Sequence, residues 1–151
     1  MRVSLKAVGL GLALAAAGGM FALRTTQAQV GPPSASGYYA GKVAFKDYST
    51  EGGKASHGAF DATMNINQAG TDVYIALTVA AEGGSQQFFL QGGIGNGNLW
   101  ATNGNAASPL VISGHISGSS GKLQVKGTGV FVDSPDINEL KISFRQAVVA
   151  R

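Results

Sequence analysis

Residues 60–79, FDATMNINQAGTDVYIALTV, contain two runs in which apolar and polar side chains alternate at every second position. The apolar members are Phe60, Ala62, Met64, Ile66, Val73, Ile75, Leu77 and Val79. A short linker that contains Gly70, residues 67–71, separates the two runs. Strict alternation on both sides of such a linker predicts a half-buried antiparallel β-hairpin, so we expect the chain to be all-β.

The same one-sided alternation predicts six further strands along the chain. They lie at residues 37–48, 86–94, 98–102, 110–117, 122–131 and 140–145. Turn residues separate them, and residues 95–97, Gly-Asn-Gly, tolerate the positive φ that tight hairpin turns require. Eight sequential strands with short connections predict a single antiparallel up-and-down meander. Closing it into a barrel removes its exposed edges.

The N-terminal segment has the pattern of a secretory signal peptide. Arg2 and Lys6 precede the apolar residues 7–23, and small residues at 26–28 predict cleavage after Ala28. The competing interpretation is an uncleaved membrane anchor of minimal length. The predicted organisation is therefore a signal peptide at 1–28, a flexible Pro-containing lead at 29–36 and one β-barrel domain at 37–151. The mature protein would be periplasmic or extracellular, and the style of the signal indicates a bacterial source.

Charge and cysteine content narrow the classes of function. Three of the 11 Lys and Arg residues lie before the predicted cleavage site, and the remaining eight balance the eight Asp and Glu residues. This balance gives no support to a nucleic-acid partner, which would need clustered basic residues. Because the chain has no cysteine, apolar burial and a complete hydrogen-bond ladder must hold the exported domain together.

Glycine occupies several positions on the predicted apolar faces, and these positions have two interpretations. The residues are Gly41, Gly92, Gly114, Gly127 and Gly129. Glycine within a strand marks a bulge or the sharp coiling of a small barrel. Alternatively, the missing side chains leave interior room for an apolar ligand. An eight-stranded barrel is just wide enough either to be filled by side chains or to hold one small molecule.

The opening Gly37-Tyr38-Tyr39, the eight meandering strands and the Arg-bearing last strand resemble small exported bacterial β-barrels of the lipocalin-like or avidin-like (calycin) shape. Barrels of that shape usually begin with Gly-x-Trp, where this chain has Gly37-x-Tyr39. The resemblance covers nearly all of residues 37–151 and lies in the architecture. It implies binding of a small apolar molecule at one barrel mouth.

Signals for an enzyme are weak. His57 and His115 are the only histidines, and neither has the spacing of a metal ligand or a neighbouring carboxylate. The glycines of residues 92–97 lack the Lys-Ser/Thr pair and the helix of a phosphate-binding loop. Asp133, Asp136 and Glu139 match no defined calcium loop and fit a turn around Pro135. We therefore expect no cofactor, no metal site and no catalytic residues.

Four residues are the best candidates for ligand contacts: Tyr39, Phe45, Met64 and Trp100. The first three lie on the apolar faces. Trp100 is the only tryptophan, and rigid amphipathic aromatic residues often anchor ligands or partners. The face that Trp100 occupies stays open, because Leu99 and Ala101 beside it can point inward. An open cavity with Tyr39 or Trp100 at its mouth would favour binding, whereas a sealed interior would favour a structural role.

The sequence thus predicts a secreted, non-enzymatic β-barrel that binds a small apolar ligand or a protein partner at one barrel end. The first alternative is a structural or cell-surface subunit, which would retain one unpaired strand edge. An outer-membrane barrel also has period-two strands, but its apolar face points to lipid. A hydrolase or isomerase hosted in the barrel is the remaining alternative.

Overall fold

The computed structural model describes residues 34–48, 56–134 and 136–147, and the described part is all-β. The predicted signal peptide and most of the predicted lead lie outside these residues. Eight antiparallel strands form one closed barrel in sequence order, as predicted, and the first strand pairs with both the second and the eighth. The strands are β1 Gly37–Tyr48, β2 Ser56–Ala69, β3 Asp72–Ala81, β4 Gly84–Gly95, β5 Asn98–Thr102, β6 Leu110–Ser117, β7 Gln124–Asp133 and β8 Asp136–Gln146.

The hairpin over residues 60–79 is confirmed, and it is longer and tighter than its sequence pattern indicates. Its strands meet at a two-residue turn, Gly70-Thr71, and the pairing places Met64 opposite Leu77. Another two-residue turn joins β4 to β5, where Asn96 and Gly97 have φ of 51° and 76°. These are the positive values predicted for that turn. The period-two pattern therefore predicts the strands and, for this hairpin, the face that each strand buries.

The apolar faces of all eight strands meet inside the barrel and form one core. Its largest fully buried side chains include Tyr39, Phe144, Met64, Ile75 and Leu99. No polar or charged residue other than Tyr39 is buried among the described residues. Burial of these side chains stabilises the fold in proportion to the apolar area removed from water. The chain has no cysteine, so this burial acts without any disulfide.

One end of the barrel, where β1 begins and β8 ends, is closed by residues 34–36, and we call it the sealed end. The side chain of Ala35 is fully buried there, and its backbone N–H donates to Oε1 of Gln68 at 2.8 Å. The Gln68 N–H donates to Oγ of Ser36 at 2.9 Å, and Gln146 Nε2 donates to the Ser36 carbonyl at 3.2 Å. Two glutamine side chains thus hold the end of the predicted lead on the barrel.

The buried hydroxyl of Tyr39 completes the sealed end and makes it sensitive to alkali. It donates to the carbonyl oxygen of Ala35 at 2.7 Å, and burial raises the pKa of Tyr39 from 10.0 to about 12. The folded state therefore holds this proton more tightly than the unfolded state does. The resulting contribution to the free energy of unfolding, about 2–3 kcal/mol, is complete below pH 10 and is lost as the pH rises to about 12.

A comparison with Tyr39→Phe measures this effect. The variant lacks the hydrogen bond, so we expect it to be about 1 kcal/mol less stable than the wild type at neutral pH. As the pH rises from about 10 to 12 the wild type should lose about 2 kcal/mol relative to the variant and become the less stable of the two, because only its Tyr39 ionises on unfolding. Urea unfolding of both proteins across this range gives the difference. Parallel stability curves for the two proteins would contradict the assignment.

The glycines on the inward faces mark close approach of neighbouring strands. A Cβ atom on Gly41 would collide with the carbonyl oxygen of Ser143, and one on Gly127 with that of Ser113. A Cβ atom on Gly129 would lie 2.7 Å from the carbonyl oxygen of Val111. These positions leave no room for a ligand. The first interpretation of the glycines, sharp coiling of a small barrel, accounts for their contacts.

The outward faces of the strands are mainly polar. Lys42 on β1 and Asp61 on β2 form an exposed ion pair at 2.9 Å, and Lys126 and Lys141 also point outward. Within the described part of the chain, no helix has the length and apolar character that a membrane span requires.

Candidate functional site

The barrel interior differs between its two ends. Toward the sealed end, inward side chains pack closely, and Tyr39 and Met64 have no exposed surface at all. Toward the opposite end, which we call the open end, the interior widens into a cavity of about 250 Å³. The connections of this end include residues 82–83 and 103–109, and the loop 49–55 lies outside the described residues.

This cavity, which we call the cup, is lined by inward residues from seven strands, all except β5. They are Val43, Phe45, Phe60, Leu77, Val79, Gln86, Phe88, Leu110, Phe131, Asn138 and Leu140. Leu77 and Leu110 are fully buried and form its floor. The four phenylalanines are half-buried and form its walls. The cup is therefore a depression that begins where the packed core ends.

Two aromatic pairs set the shape of the cup. Phe45 and Phe60, from β1 and β2, stack with centroids 5.1 Å apart and an interplanar angle of 7°. A side chain at position 58 would collide with the Phe45 ring, since a Cβ atom there would lie 2.6 Å from Cε1. The absence of a side chain at Gly58 thus leaves the space that the Phe45 ring occupies. Phe88 and Phe131, from non-adjacent strands, meet edge to face at 5.5 Å.

The described lining of the cup is almost entirely apolar. Of its eleven described lining residues, nine are apolar, and the other two are the uncharged Gln86 and Asn138. Gln86 is exposed, and neither amide makes a side-chain hydrogen bond within the described residues. Both amides are thus available to a ligand. An apolar cavity with a small number of polar groups is the usual form of a small-molecule site.

The structure separates the four residues that the sequence selects as ligand contacts. Phe45 lines the cup, and Tyr39 and Met64 lie in the packed core near the sealed end. Trp100 is on the outer surface with 60% of its area exposed, because Leu99 and Ala101 on either side point inward. The interior is thus neither completely filled nor open beside Tyr39 or Trp100, which were the two arrangements considered from the sequence.

Three residues that sequence reasoning did not select share the cup with Phe45: Phe60, Phe88 and Phe131. Alternation places all three on inward faces, but it gives no position along the barrel axis. The strand order supplies that information, because Phe45 and Phe131 lie late in strands that run toward the open end, and Phe60 and Phe88 lie early in strands that leave it. Alternation and strand order together thus predict a phenylalanine cluster at one end of the barrel.

Among the described histidine and acidic side chains, His115 and Glu139 make isolated polar contacts. Nδ1 of His115 lies 3.3 Å from Oδ1 of Asn98 on the exposed surface. Glu139 accepts a hydrogen bond from the Tyr48 hydroxyl at 3.1 Å. In the described ranges, no group of three or more His, Asp or Glu side chains could hold a metal ion.

Comparison with known proteins does not assign the chain to a family. No family model matches it, and no curated protein shows significant similarity to it.

Proposed function

We propose that the protein is exported and that its barrel binds a small apolar molecule in the cup without transforming it chemically. The observation that carries this proposal is the cavity of about 250 Å³ at one end of the barrel, with four phenylalanines around its walls and no charged side chain among its described lining residues. The signal-peptide pattern of residues 1–28 supports export.

The volume of the cup limits the size of the ligand. An apolar protein cavity of roughly 150 Å³ accommodates benzene, and drug-sized ligands occupy sites of about 300–1,000 Å³. The cup lies between these values. Its ligand would be a molecule with one or two fused rings, or a short branched hydrocarbon chain. A single hydroxyl or carbonyl group on it could reach Gln86 or Asn138, which gives the ligand a preferred orientation.

The architecture favours this role over the alternatives. The closed barrel leaves no strand edge unpaired in the described part of the chain, so it offers no place for strand addition by a neighbouring subunit. An outer-membrane barrel would have its apolar side chains on the outside, whereas here they fill the interior. Binding inside the open end uses the apolar interior surface that the described core residues leave uncovered there.

Calorimetric titration with 1-naphthol tests the proposal. We expect a dissociation constant on the order of 10–100 µM, since the ligand is small and the site is largely preformed. Val79→Phe places a ring in the cup and should weaken binding at least tenfold. Val130→Phe is the matched control, because Val130 is 44% exposed on the outer face, and it should bind 1-naphthol as the wild type does.

Circular dichroism establishes that both variants fold before they are titrated. The absence of wild-type binding at millimolar 1-naphthol would overturn the proposal, as would equal affinity of a folded Val79→Phe protein. Should Val79→Phe fail to fold, amide chemical shifts of the wild type with 1-naphthol replace it. Shift changes must then centre on Phe45, Phe88 and Phe131, and changes centred elsewhere would overturn the proposed site.

A further inference from the structure

A second concave surface lies on the outside of the barrel, separate from the cup. This outer groove runs across β2 to β5 and has a volume of about 750 Å³. Its principal side chains are Asn65, Asn67, Tyr74, Phe89, Gln91 and Trp100. All six point away from the core, so the groove shares no side chain with the cup.

The strand register brings these residues together. Asn67, Tyr74, Gln91 and Thr102 lie opposite one another on four consecutive strands. In the next row, Ala76 separates Asn65 from Phe89. The short side chain of Ala76 leaves depth between its two neighbours. The result is a trough over Ala76, with the Asn65 and Asn67 amides on one side and the Phe89 ring on the other.

The position of the Trp100 ring depends on a glycine on the neighbouring strand. Gly93 faces Trp100 across β4 and β5, and a Cβ atom on Gly93 would lie 3.0 Å from Nε1 of the indole and 3.2 Å from Cε2. The indole therefore covers Gly93, which is buried beneath it. The rest of the ring is free for a ligand, because 60% of Trp100 is exposed.

The groove combines exposed aromatic rings with unpaired amides. Tyr74 is 48% exposed and Phe89 is 69% exposed, in addition to Trp100. Within the described residues, the side-chain amides of Asn65, Asn67 and Gln91 take part in no hydrogen bond. Each amide can both donate and accept. The groove thus presents apolar faces and hydrogen-bonding groups in alternation.

Charge distinguishes among the possible occupants. Among the described residues that line the groove, Asp72 is the only charged one, and none is Lys or Arg. A nucleic acid or an acidic polymer would require cations there. A protein partner would be met by a continuous apolar centre with a polar rim. Here the Gln91 amide lies between the row of Phe89 and the row of Trp100, so the apolar surface is interrupted. A neutral ligand with both C–H faces and hydroxyl groups fits this lining.

We propose that the outer groove binds a neutral oligosaccharide. The C–H faces of successive sugar rings stack on Trp100, Phe89 and Tyr74, and their hydroxyl groups exchange hydrogen bonds with the amides of Asn65, Asn67 and Gln91. The Asp72 carboxylate accepts from hydroxyl groups at one end of the groove. This function is independent of ligand binding in the cup.

The single tryptophan of the chain makes a direct test possible, because Trp100 is the only indole and lies in the groove. Cellohexaose and the hexamer of N-acetylglucosamine serve as neutral probes. Binding of at least one of them should move the Trp100 emission to shorter wavelength in a saturable manner, with a dissociation constant on the order of 0.1–1 mM. Hexagalacturonate, which is anionic, should bind at least tenfold more weakly.

Variants locate the binding site. Tyr74→Ala should weaken binding of the responsive probe at least tenfold by the emission measurement, and Trp100→Ala should do so by calorimetry. Tyr48→Ala is the matched control, since Tyr48 is also an exposed tyrosine on an outward face but lies far along β1 from the groove. It should retain wild-type affinity. All of these side chains are exposed, so folding should be preserved.

Three results would overturn the proposal. The first is an unchanged emission with both neutral probes at ~10 mM, well above the expected dissociation constant. The second is equal weakening by Tyr74→Ala and Tyr48→Ala. The third is a shift with protein concentration alone, together with dimers in sedimentation, which would show that a second copy covers the groove. Val79→Phe should leave oligosaccharide binding unchanged, so failure of either site is distinguishable from failure of the other.

Discussion

Gly92→Ala is expected to remove about 3 kcal/mol or more from the free energy of unfolding, a large part of the stability of an ordinary domain. Gly92 lies on the inward face of β4, opposite Ala101 on β5. A Cβ atom there would collide with the carbonyl oxygen of Trp100 and lie 2.6 Å from Cα of Ala101. Both atoms belong to the backbone, so the collision is relieved only by moving β5 away from β4.

The short length of β5 makes this position especially sensitive. β5 has five residues, and its ladder with β4 is correspondingly short. Separating these strands would open the barrel and uncover its core. We expect Gly92→Ala to unfold at a much lower urea concentration than the wild type, or to accumulate as insoluble protein.

Gly95→Ala is the matched control on the same strand. No atom lies within 4 Å of a Cβ placed on Gly95, and its φ lies outside the left-handed region. Alanine there restricts the unfolded chain and has no steric cost, so the variant should match the wild type or gain up to about 1 kcal/mol. Equal urea midpoints for Gly92→Ala and Gly95→Ala would contradict the close approach of β4 and β5.

The fold was predictable from the sequence because local patterns encode most of it. Alternation gave the bounds of β1 and β5, and Asn96-Gly97 identified the turn between β4 and β5. Strand order followed from short connections, since sequential strands joined in this way pair as neighbours. The early start of β8 at Asp136 was missed, because Ile137 is exposed and breaks the one-sided pattern.

The candidate site was less predictable because its location depends on packing along the barrel axis. Alternation identifies Met64 and Phe45 equally as inward residues, yet one lies in the packed core and the other lines the cup. Which end is filled depends on distant contacts, such as those of Gln68 and Gln146 with residues 34–36. No local pattern reports these contacts.

The glycine pattern indicated the right residues but left their role open. Absence of a side chain is consistent with either a cavity or a close backbone contact, and only three-dimensional neighbours distinguish the two. At Gly41 and Gly127 the neighbour is the backbone of the adjacent strand. At Gly58 and Gly93 the neighbour is an aromatic ring. Gly58 is an inward position beside the Phe45 ring of the cup, and Gly93 is an outward position beneath the Trp100 ring of the outer groove.

Phe144→Ala and Phe131→Ala make the same chemical change at the packed and open parts of the interior, and we expect very different costs. Phe144 is 1% exposed and lies between Gly41 and Val125 on the neighbouring strands. Its truncation leaves a cavity in a close-packed core and should cost about 4 kcal/mol. Phe131 is half-buried beside existing space, so its truncation should cost about 1–2 kcal/mol.

Only Phe131→Ala should alter which ligand the cup binds more tightly. Loss of the Phe131 ring widens the cup between Phe88 and Leu140, so Phe131→Ala should bind 1-pyrenemethanol more tightly than the wild type does, while its affinity for 1-naphthol falls. Urea unfolding gives the two stabilities, and calorimetric titration gives the two affinities. Equal destabilisation by the two variants would mean that the Phe131 ring is packed as tightly as that of Phe144. If Phe131→Ala also left the preference between the two alcohols unchanged, the cup would not be the site that selects the ligand.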